Sequence, residues 1–254
     1  MSAQVGDRIQ AGRAFMRSNF TTLHGARSDQ TKGMPPPPVQ LPPPPGARVV
    51  DLPKPAPSVL ARKDVFACIH DRRSRREFGS APLSLAELSF LLWATQGIQE
   101  VISGGRALLR TVPSGGARHP FETYLGVNRV TGLEAGLYRY LPLKHQVAFL
   151  RGSEGLREGL TDAAWGQEFA GDAAVTFVWT CVPYRGEWRY LWAAHKTMLL
   201  DAGHVCQNLY LACEAIGCGT CAIAAYDQEA ADALLGVDGK DEFVVYMAPV
   251  GRTQ

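Results

Sequence analysis

The run AAVTFVWTCV, residues 173–182, is apolar at nearly every position. A strand with one wet face alternates, so an unbroken run predicts a central strand covered on both faces. FETYLGV (121–127) alternates as a strand, GLYRYLP (136–142) and HQVAFLR (145–151) read as a hairpin pair, and TCAIAAY (220–226) and EFVVYMAPVG (242–251) predict two more strands. Helical spacing covers SLAELSFLLWATQG (84–97), where Ser84 and Glu87 have the capping-box separation and Gly97 closes the helix. SVLARKDVFACIHD (58–71) predicts a helix with Ser58 as N-cap, and DQEAADALLG (227–236) one capped by Asp227 and stopped by Gly236. From GEWRYLW to CEAIG (186–217) the pattern predicts one helix of about thirty residues, apolar on too many sides to lie on the surface. Residues 3–18 predict a short polar helix. Strands and helices mix without a strict βαβ rhythm, so the expected class is α+β in layers.

Proline changes this picture at one end. Eleven of the 17 prolines fall between Pro35 and Pro57. Proline lacks an N–H and fixes φ, so the stretch is extended polyproline II. It divides the chain into an N-terminal segment with a polyproline arm (1–57) and a body (58–254). An SH3-type ligand is one reading of the arm. The preferred one is an arm laid over the body or over a partner subunit, because the prolines lead straight into a folded domain.

Charge and composition remove several classes. With 254 residues, 46% hydrophobic and 20% charged, the chain can bury a sizeable core. A net charge of +2 gives no argument for nucleic acid. No apolar run is long enough to span a bilayer and the N-terminus lacks an apolar signal core, so a cytoplasmic location with no membrane partner is the expectation. The six cysteines lie in apolar or helical stretches and read as buried small hydrophobes. Cys218 and Cys221 form a C-x-x-C, but no further ligands at zinc spacing stand nearby, and no metal is expected. His195 and His204 are nine apart on the predicted long helix and lean to different faces.

Two segments carry candidate chemistry. DRRSRREF (71–78) places Arg72, Arg73, Arg75 and Arg76 around Ser74. Guanidinium groups so crowded repel one another unless an anion or carboxylates offset them, and a phosphate suits their forked donors. In an extended segment Arg72, Ser74 and Arg76 share one face. A solvated charged loop is the other reading. RTVPSGGARHPFETY (110–124) joins Pro113, Ser114, Gly115 and Gly116 to Arg118 and His119. Glycine lets backbone N–H groups approach a ligand closely. Arg252, after a strand and a glycine, could add another cation.

These segments, in order, resemble the FMN-dependent nitroreductase family. RRSRREF resembles its R-x-S-x-R-x-F segment, and RTVPSGGARHPFETYLGV is similar to the P-S-G-G-A…P-x-E-x-Y signature of the SagB-type dehydrogenase branch. LLDAGHVCQNLYLACEAIGCGTCAIAAYD and APVGR resemble the branch's long helix, glycine turn, flavin-facing strand and terminal arginine. The resemblance spans about residues 58–252. It implies a nitroreductase-like three-layer α+β fold with a mixed, mainly antiparallel sheet, in an entwined homodimer with FMN at the subunit interface. It implies that Arg72, Ser74 and Arg76, with Arg73 beside them, hold the phosphate, ribityl chain and pyrimidine edge. Gly251 and Arg252 would close on the phosphate, and Pro113 to Gly116 would reach the flavin from the other subunit. Ala224 and Ala225 would offer backbone amides to flavin N5, and Gln167 would meet the ring edge. Where many relatives carry an apolar residue and a tyrosine after PSGGA, this chain departs with Arg118 and His119, which would line the substrate side or pair with carboxylates, and Tyr226 would shape the substrate pocket or belong to the core. A hydride would pass through N5 to or from a small molecule or modified peptide, with NADPH or NADH as a possible donor. Relatives that oxidise azolines carry an adjacent Lys-Tyr pair; no Lys here precedes Tyr, which puts azole formation in doubt. A non-catalytic flavin- or peptide-binding module that recruits a partner through the proline arm is the rival.

Overall fold

The computed structural model describes residues 3–62, 64–105 and 107–253. In chain order the elements are α1 (Ala3–Met16), β1 (Val49–Asp51), α2 (Val65–Asp71), β2 (Leu83–Ser84), α3 (Leu85–Gln96), β3 (Ile98–Ile102), β4 (Ala107–Arg110) and β5 (Phe121–Val127). Then come β6 (Val130–Thr131), β7 (Gly136–Leu141), β8 (Gln146–Gly152), α4 (Leu156–Ala163), α5 (Glu168–Asp172) and β9 (Val175–Cys181). α6 (Tyr184–Tyr190), α7 (Ala194–Ala215), β10 (Cys218–Thr220), α8 (Gln228–Leu235) and β11 (Phe243–Arg252) complete the fold.

Seven strands form one sheet in the order β1-β8-β7-β5-β9-β11-β10, and each of its ladders is antiparallel. Among the described residues, parallel pairing is confined to β2 with β6 and to a bridge between Ser74 and Thr220. β9 lies inside, between β5 and β11, and all seven of its residues are buried. Alternate side chains serve two cores: Phe177 and Trp179 join the one built with α3 and α7, Val178 the one built with α4 and α8. That alternation within a wholly apolar run makes the sheet the middle of three layers.

Helix α7 is the backbone of the first layer. Met198, Ala202, Val205, Cys206, Leu209, Ala212 and Cys213 are buried at helical spacing, while Leu199, Leu200 and His204 are exposed. Complete burial of a side chain such as Leu209 contributes about 1.5–3 kcal/mol. The predicted thirty-residue helix is broken: α6 ends at Leu191, which adopts φ 48°, and a 3-10 turn precedes α7. The break lets α6 fold back on α7 at Gly186, where an added Cβ would stand 3.1 Å from Ala194 and Met198 atoms.

Three other expectations shift. Ser58 lies in a 3-10 turn without capping; the helix starts at Val65, where Asp64 accepts from the Phe66 N–H at 2.9 Å. Strand character in TCAIAAY stops at Thr220, and Ile223 keeps only a bridge to Met247. The sheet also draws an edge strand, β1, from within residues 1–57. By contrast, the Ser84–Glu87 capping box, the Asp227 cap and the left-handed Gly236 stop form as the spacing predicts.

Candidate active site

The segment after α2 runs along the outer edge of β10. Ser74 bridges Thr220, and the Arg75 N–H donates to the Thr220 carbonyl at 2.9 Å. Side chains therefore alternate. The Arg72 guanidinium sits 5.1 Å from the Tyr210 ring centre and the Ser74 hydroxyl 3.0 Å from the Tyr210 hydroxyl. Arg75 turns the other way, over Gly219 and towards Glu214 at 3.9 Å. Arg76 lies 6.0 Å from the Phe169 ring centre, and Arg73 folds onto the carbonyls of His70 and Arg72. Among the described residues neither Arg72 nor Arg76 enters an ion pair. Ser74 and Arg76 are exposed and, with Arg73, line a groove of about 420 Å3 in which Glu77 is the acid present.

Tyr210 extends this edge to the next segment, since its hydroxyl also accepts from the Ala222 N–H at 2.8 Å. Ala224 and Ala225 follow, both exposed, and no acceptor among the described residues meets either N–H. Gln167, at the start of α5, donates to the Ala225 carbonyl at 3.3 Å and to that of Ala164 at 2.8 Å. Tyr210 thus links Arg72 and Ser74 to Ala222, two residues before Ala224, while Arg76 reaches Phe169 in α5, which Gln167 precedes. Tyr226 does not join them through its hydroxyl, which donates to the Val244 carbonyl at 2.9 Å and is pushed up to about 12 by burial.

The glycine loop lies elsewhere on α7. Asp201, 5% exposed, accepts from the Ser114 hydroxyl at 2.7 Å and from the Gly115 N–H at 3.1 and 3.2 Å. Burial raises this carboxyl's proton affinity against those hydrogen bonds. Both glycines are sterically required: a Cβ on Gly115 would lie 2.3 Å from Thr197 Cγ2, and one on Gly116, at φ +63°, 2.4 Å from the Tyr190 hydroxyl. The loop is glycine-rich because it packs tightly against α6 and α7. Pro113 is exposed at its start. Asp201 and Tyr210 are nine residues apart, about 14 Å along a helix, so within one chain the loop and the arginine edge stand on different turns.

Two expected site residues serve the loop and sheet instead. His119 is 5% exposed, its Nε2–H donates to the Leu108 carbonyl at 3.1 Å, and burial, then the charge of Arg110, push its pKa down to about 3. It is a neutral, inward-packed ring and not a substrate-facing one. Arg252 donates to both oxygens of Glu87 at 2.7 and 2.8 Å and to the Ile216 carbonyl at 3.1 Å, tying β11 to the capping box of α3. Gly251 leaves room for Phe78, whose Cβ would be 2.6 Å from an added Cβ. Arg118 remains at a cavity wall, its guanidinium 5.2 Å from the Trp188 ring centre.

The family model for nitroreductases matches residues 69–252. The chain belongs to the nitroreductase family. A protein of Methanocaldococcus jannaschii named as a nitroreductase is 35% identical over 182 residues, which is 71% of this chain and 87% of that one. The trifolitoxin-processing protein TfxB of Rhizobium leguminosarum bv. trifolii is 32% identical over 117 residues; the match covers 44% of this chain and only 31% of TfxB. A crystal structure named as a nitroreductase from Anabaena variabilis superposes with a TM-score of 0.70 at 28% identity, covering 83% of this chain and 42% of that chain. The NADPH:FMN oxidoreductase of Vibrio harveyi, complexed with NAD+, shares the fold at a TM-score of 0.53 and 17% identity, over 76% of this chain and 70% of that one. Family membership supports an oxidoreductase of the flavin-using kind.

In this member of the family Tyr210 joins the arginine edge to the Ala222 segment, and Asp201 holds the glycine loop. Nothing in the sequence sets them apart, because α7 also carries His195, Lys196, Thr197, His204, Gln207, Asn208 and Glu214. In the C-x-x-C, Cys218 and Cys221 are both buried, and burial raises both thiols, Cys218 to about 12, away from the thiolate a redox pair uses. Among the described residues no group of three or more His, Cys, Asp or Glu converges as a metal site, and no helix is long and apolar enough to cross a membrane.

Proposed function

We propose that the chain is an FMN-dependent oxidoreductase of the SagB-type branch, working in the cytoplasm as a homodimer on a small molecule or a modified peptide. The observation that supports this reading is the β10 edge, where Tyr210 links two guanidinium-flanked positions to the segment that leads to Ala224 and Ala225, whose N–H groups meet no acceptor among the described residues. That donor set fits FMN. Arg72 and Arg76 offer forked donors to a phosphate, Ser74 offers a hydroxyl to a polyol chain, and Arg73 stands beside them. The N–H groups of Ala224 and Ala225 can donate to a ring nitrogen without a titrating side chain, and Gln167 holds that segment through the Ala225 carbonyl. Bound there, FMN would accept and return a hydride.

The chain's own residues bind and orient. Tyr210 fixes Arg72, Ser74 and the Ala222 amide together, so the arginine segment and the segment that leads to Ala224 keep one spacing. The Pro113–Gly116 loop stands on another part of α7, which supports a second copy bringing its loop to this edge. The exposed Leu199, Leu200 and His204 of α7 are available for that pairing. The six unpaired, buried thiols suit a reducing compartment. The TfxB match favours a peptide substrate as one option, over the part of that protein it covers. The rival, partner recruitment through a loose proline arm, is disfavoured because Pro38, Val39 and Pro42 carbonyls are all held by body arginines.

Arg72→Ala with Arg76→Ala removes two charge-assisted contacts of about 1.5–3 kcal/mol each, so FMN retention should fall by two to four orders of magnitude, roughly 10²–10⁴. The visible spectrum of the purified protein, followed anaerobically after NADPH or NADH, reads this directly. Flavin bands that bleach indicate a nicotinamide donor, and bands that persist indicate reduction by the substrate. Normal flavin content in the double variant would refute the phosphate assignment.

A further inference from the structure

The root of the proline arm is tied to the body by a chain of four polar groups. The Ser89 hydroxyl of α3 lies 2.5 Å from the Pro53 carbonyl and 2.7 Å from His145 Nε2, and the Tyr140 hydroxyl of β7 lies 2.7 Å from His145 Nδ1. Ser89 and Tyr140 are 0% and 1% exposed, and His145, in the turn between β7 and β8, is half-buried. The backbone carbonyl of the same histidine accepts from the Leu52 N–H at 3.1 Å. His145 therefore grips Leu52 through its main chain and Pro53 through its ring and Ser89.

One placement of protons satisfies all three side-chain contacts. Two oxygens 2.5 Å apart need a proton between them and a carbonyl has none, so Ser89 donates to Pro53. Ser89 has a single proton, so it accepts from Nε2–H. Nδ1 of the neutral ring is then the acceptor, and Tyr140 donates to it. A second ring proton, on Nδ1, turns the Tyr140 O–H away, and that hydroxyl has no other acceptor among the described residues. A buried donor left without an acceptor is costly. The surrounding charges act in the same direction. Lys54 of the arm shares a cavity of about 350 Å3 with His145, Tyr140 and Trp93, and none of its described walls is acidic. Arg110 of β4 acts on Tyr140, Lys144 is exposed beside His145, and the Asp51 carboxylate accepts from the Gln146 amide at 2.6 Å. Burial lowers the pKa of His145, against its contact with the Pro53 backbone. Ser89 is no nucleophile here, since it is fully buried and its proton goes to a carbonyl.

We propose that Tyr140, His145 and Ser89 form an acid-released latch, which fastens the root of the arm to the body while the imidazole is neutral. His145 lines the cavity it shares with the exposed Lys54, and there a proton reaches the ring. The arginines on the carbonyls of Pro38, Val39 and Pro42 keep their charge in acid, so release is confined to the root around Leu52 and Pro53.

Amide hydrogen exchange on the full chain tests the proposal, expressed as protection factors so that the intrinsic pH dependence of exchange drops out. Opening the latch frees a ring of ordinary proton affinity, near 6.5, so the closed form loses stability as pH falls below that value, by at most about tenfold per pH unit. Protection of the Leu52 amide should fall about tenfold between pH 7.5 and 5. The fall should vanish in His145→Asn, where asparagine tolerates the φ of 53°, and persist in His119→Asn. Nitrogen-15 NMR of the wild-type ring at pH 7.5 needs no variant and should show the proton on Nε2. Leu52 protection that is flat with pH, a fall that survives in His145→Asn or disappears in His119→Asn, or a ring proton on Nδ1 would overturn the latch.

Discussion

Glu122→Gln should be among the most damaging isosteric changes in this chain. Glu122 and Arg185 are each 2% exposed and form a direct ion pair, and Glu122 also accepts from the Leu41 N–H at 2.9 Å. Arg110 and Arg139, 6% and 7% exposed, are buried in the same structure and, like Arg185, donate to the arm. Glutamine keeps the shape and an acceptor for Leu41 but removes the charge. Arg185 is then a buried cation without its counter-ion, which costs about 3–5 kcal/mol. For a chain of this size that lowers Tm by about 10 °C. Arg185→Met removes the cation and the Pro38 contact together, the latter worth about 1 kcal/mol. In the double variant the uncompensated charge is gone, so it should recover about 2–3 kcal/mol relative to the sum of the singles.

Urea unfolding of the four proteins measures the coupling, and limited trypsin digestion reports the arm. Lys32 and Arg48 are exposed, and cleavage there should accelerate in Glu122→Gln because the Leu41 anchor weakens with the pair. Additive singles, with coupling below about 0.5 kcal/mol, would refute the buried pair as the arm's anchor. Unchanged cleavage in Glu122→Gln would do the same.

His119 binds its proton in the unfolded chain below about 6.5 but in the fold only near 3. Stability should therefore fall as pH drops from 6.5 towards 4, by up to about 1.4 kcal/mol per pH unit. His119→Asn, which tolerates the φ of 43° there, should flatten that slope in urea titrations; parallel curves would contradict the assignment. Gly219→Ala places a Cβ 2.8 Å from Arg75 Cβ, so the arginine segment must lift from β10. FMN retention should fall at least tenfold, measured by dialysis and absorbance, with the Tm reduced by only a few degrees, roughly 1–3 kcal/mol of overpacking.

Local chemistry was legible where a residue acts on its own neighbours. Ser84 with Glu87, Asp227 and Gly236 read correctly because a cap is satisfied within four residues. The α6–α7 break was not legible, because the apolar spacing continues through Leu191 while the chain reverses to pack Gly186 on Ala194 and Met198. In an extended segment Arg72, Ser74 and Arg76 share one face; Arg72 and Ser74 do meet on Tyr210, and Arg75 turns away from them. What alternation could not reveal is Tyr210, the shared partner 136 positions from Ser74. His119 misled for the opposite reason: its polarity suggested exposure, but one carbonyl, that of Leu108, satisfies it inside.

The arm shows the same limit and its physical cause. Prolines 35–38 and 42–45 have carbonyls but no N–H, so the stretch presents almost only acceptors. A complementary surface must be made of donors, and arginine carries five with no acceptor. The body answers with Arg185, Arg110 and Arg139 on the carbonyls of Pro38, Val39 and Pro42. Between the proline runs Leu41 has an N–H, and there the body presents its carboxylate, Glu122. Composition predicts the conformation of the arm, but its recognition lies in arginines that read as ordinary strand and helix residues. Because those contacts grip the backbone, replacing single prolines with alanine should leave the arm seated, while neutralising one buried arginine should not.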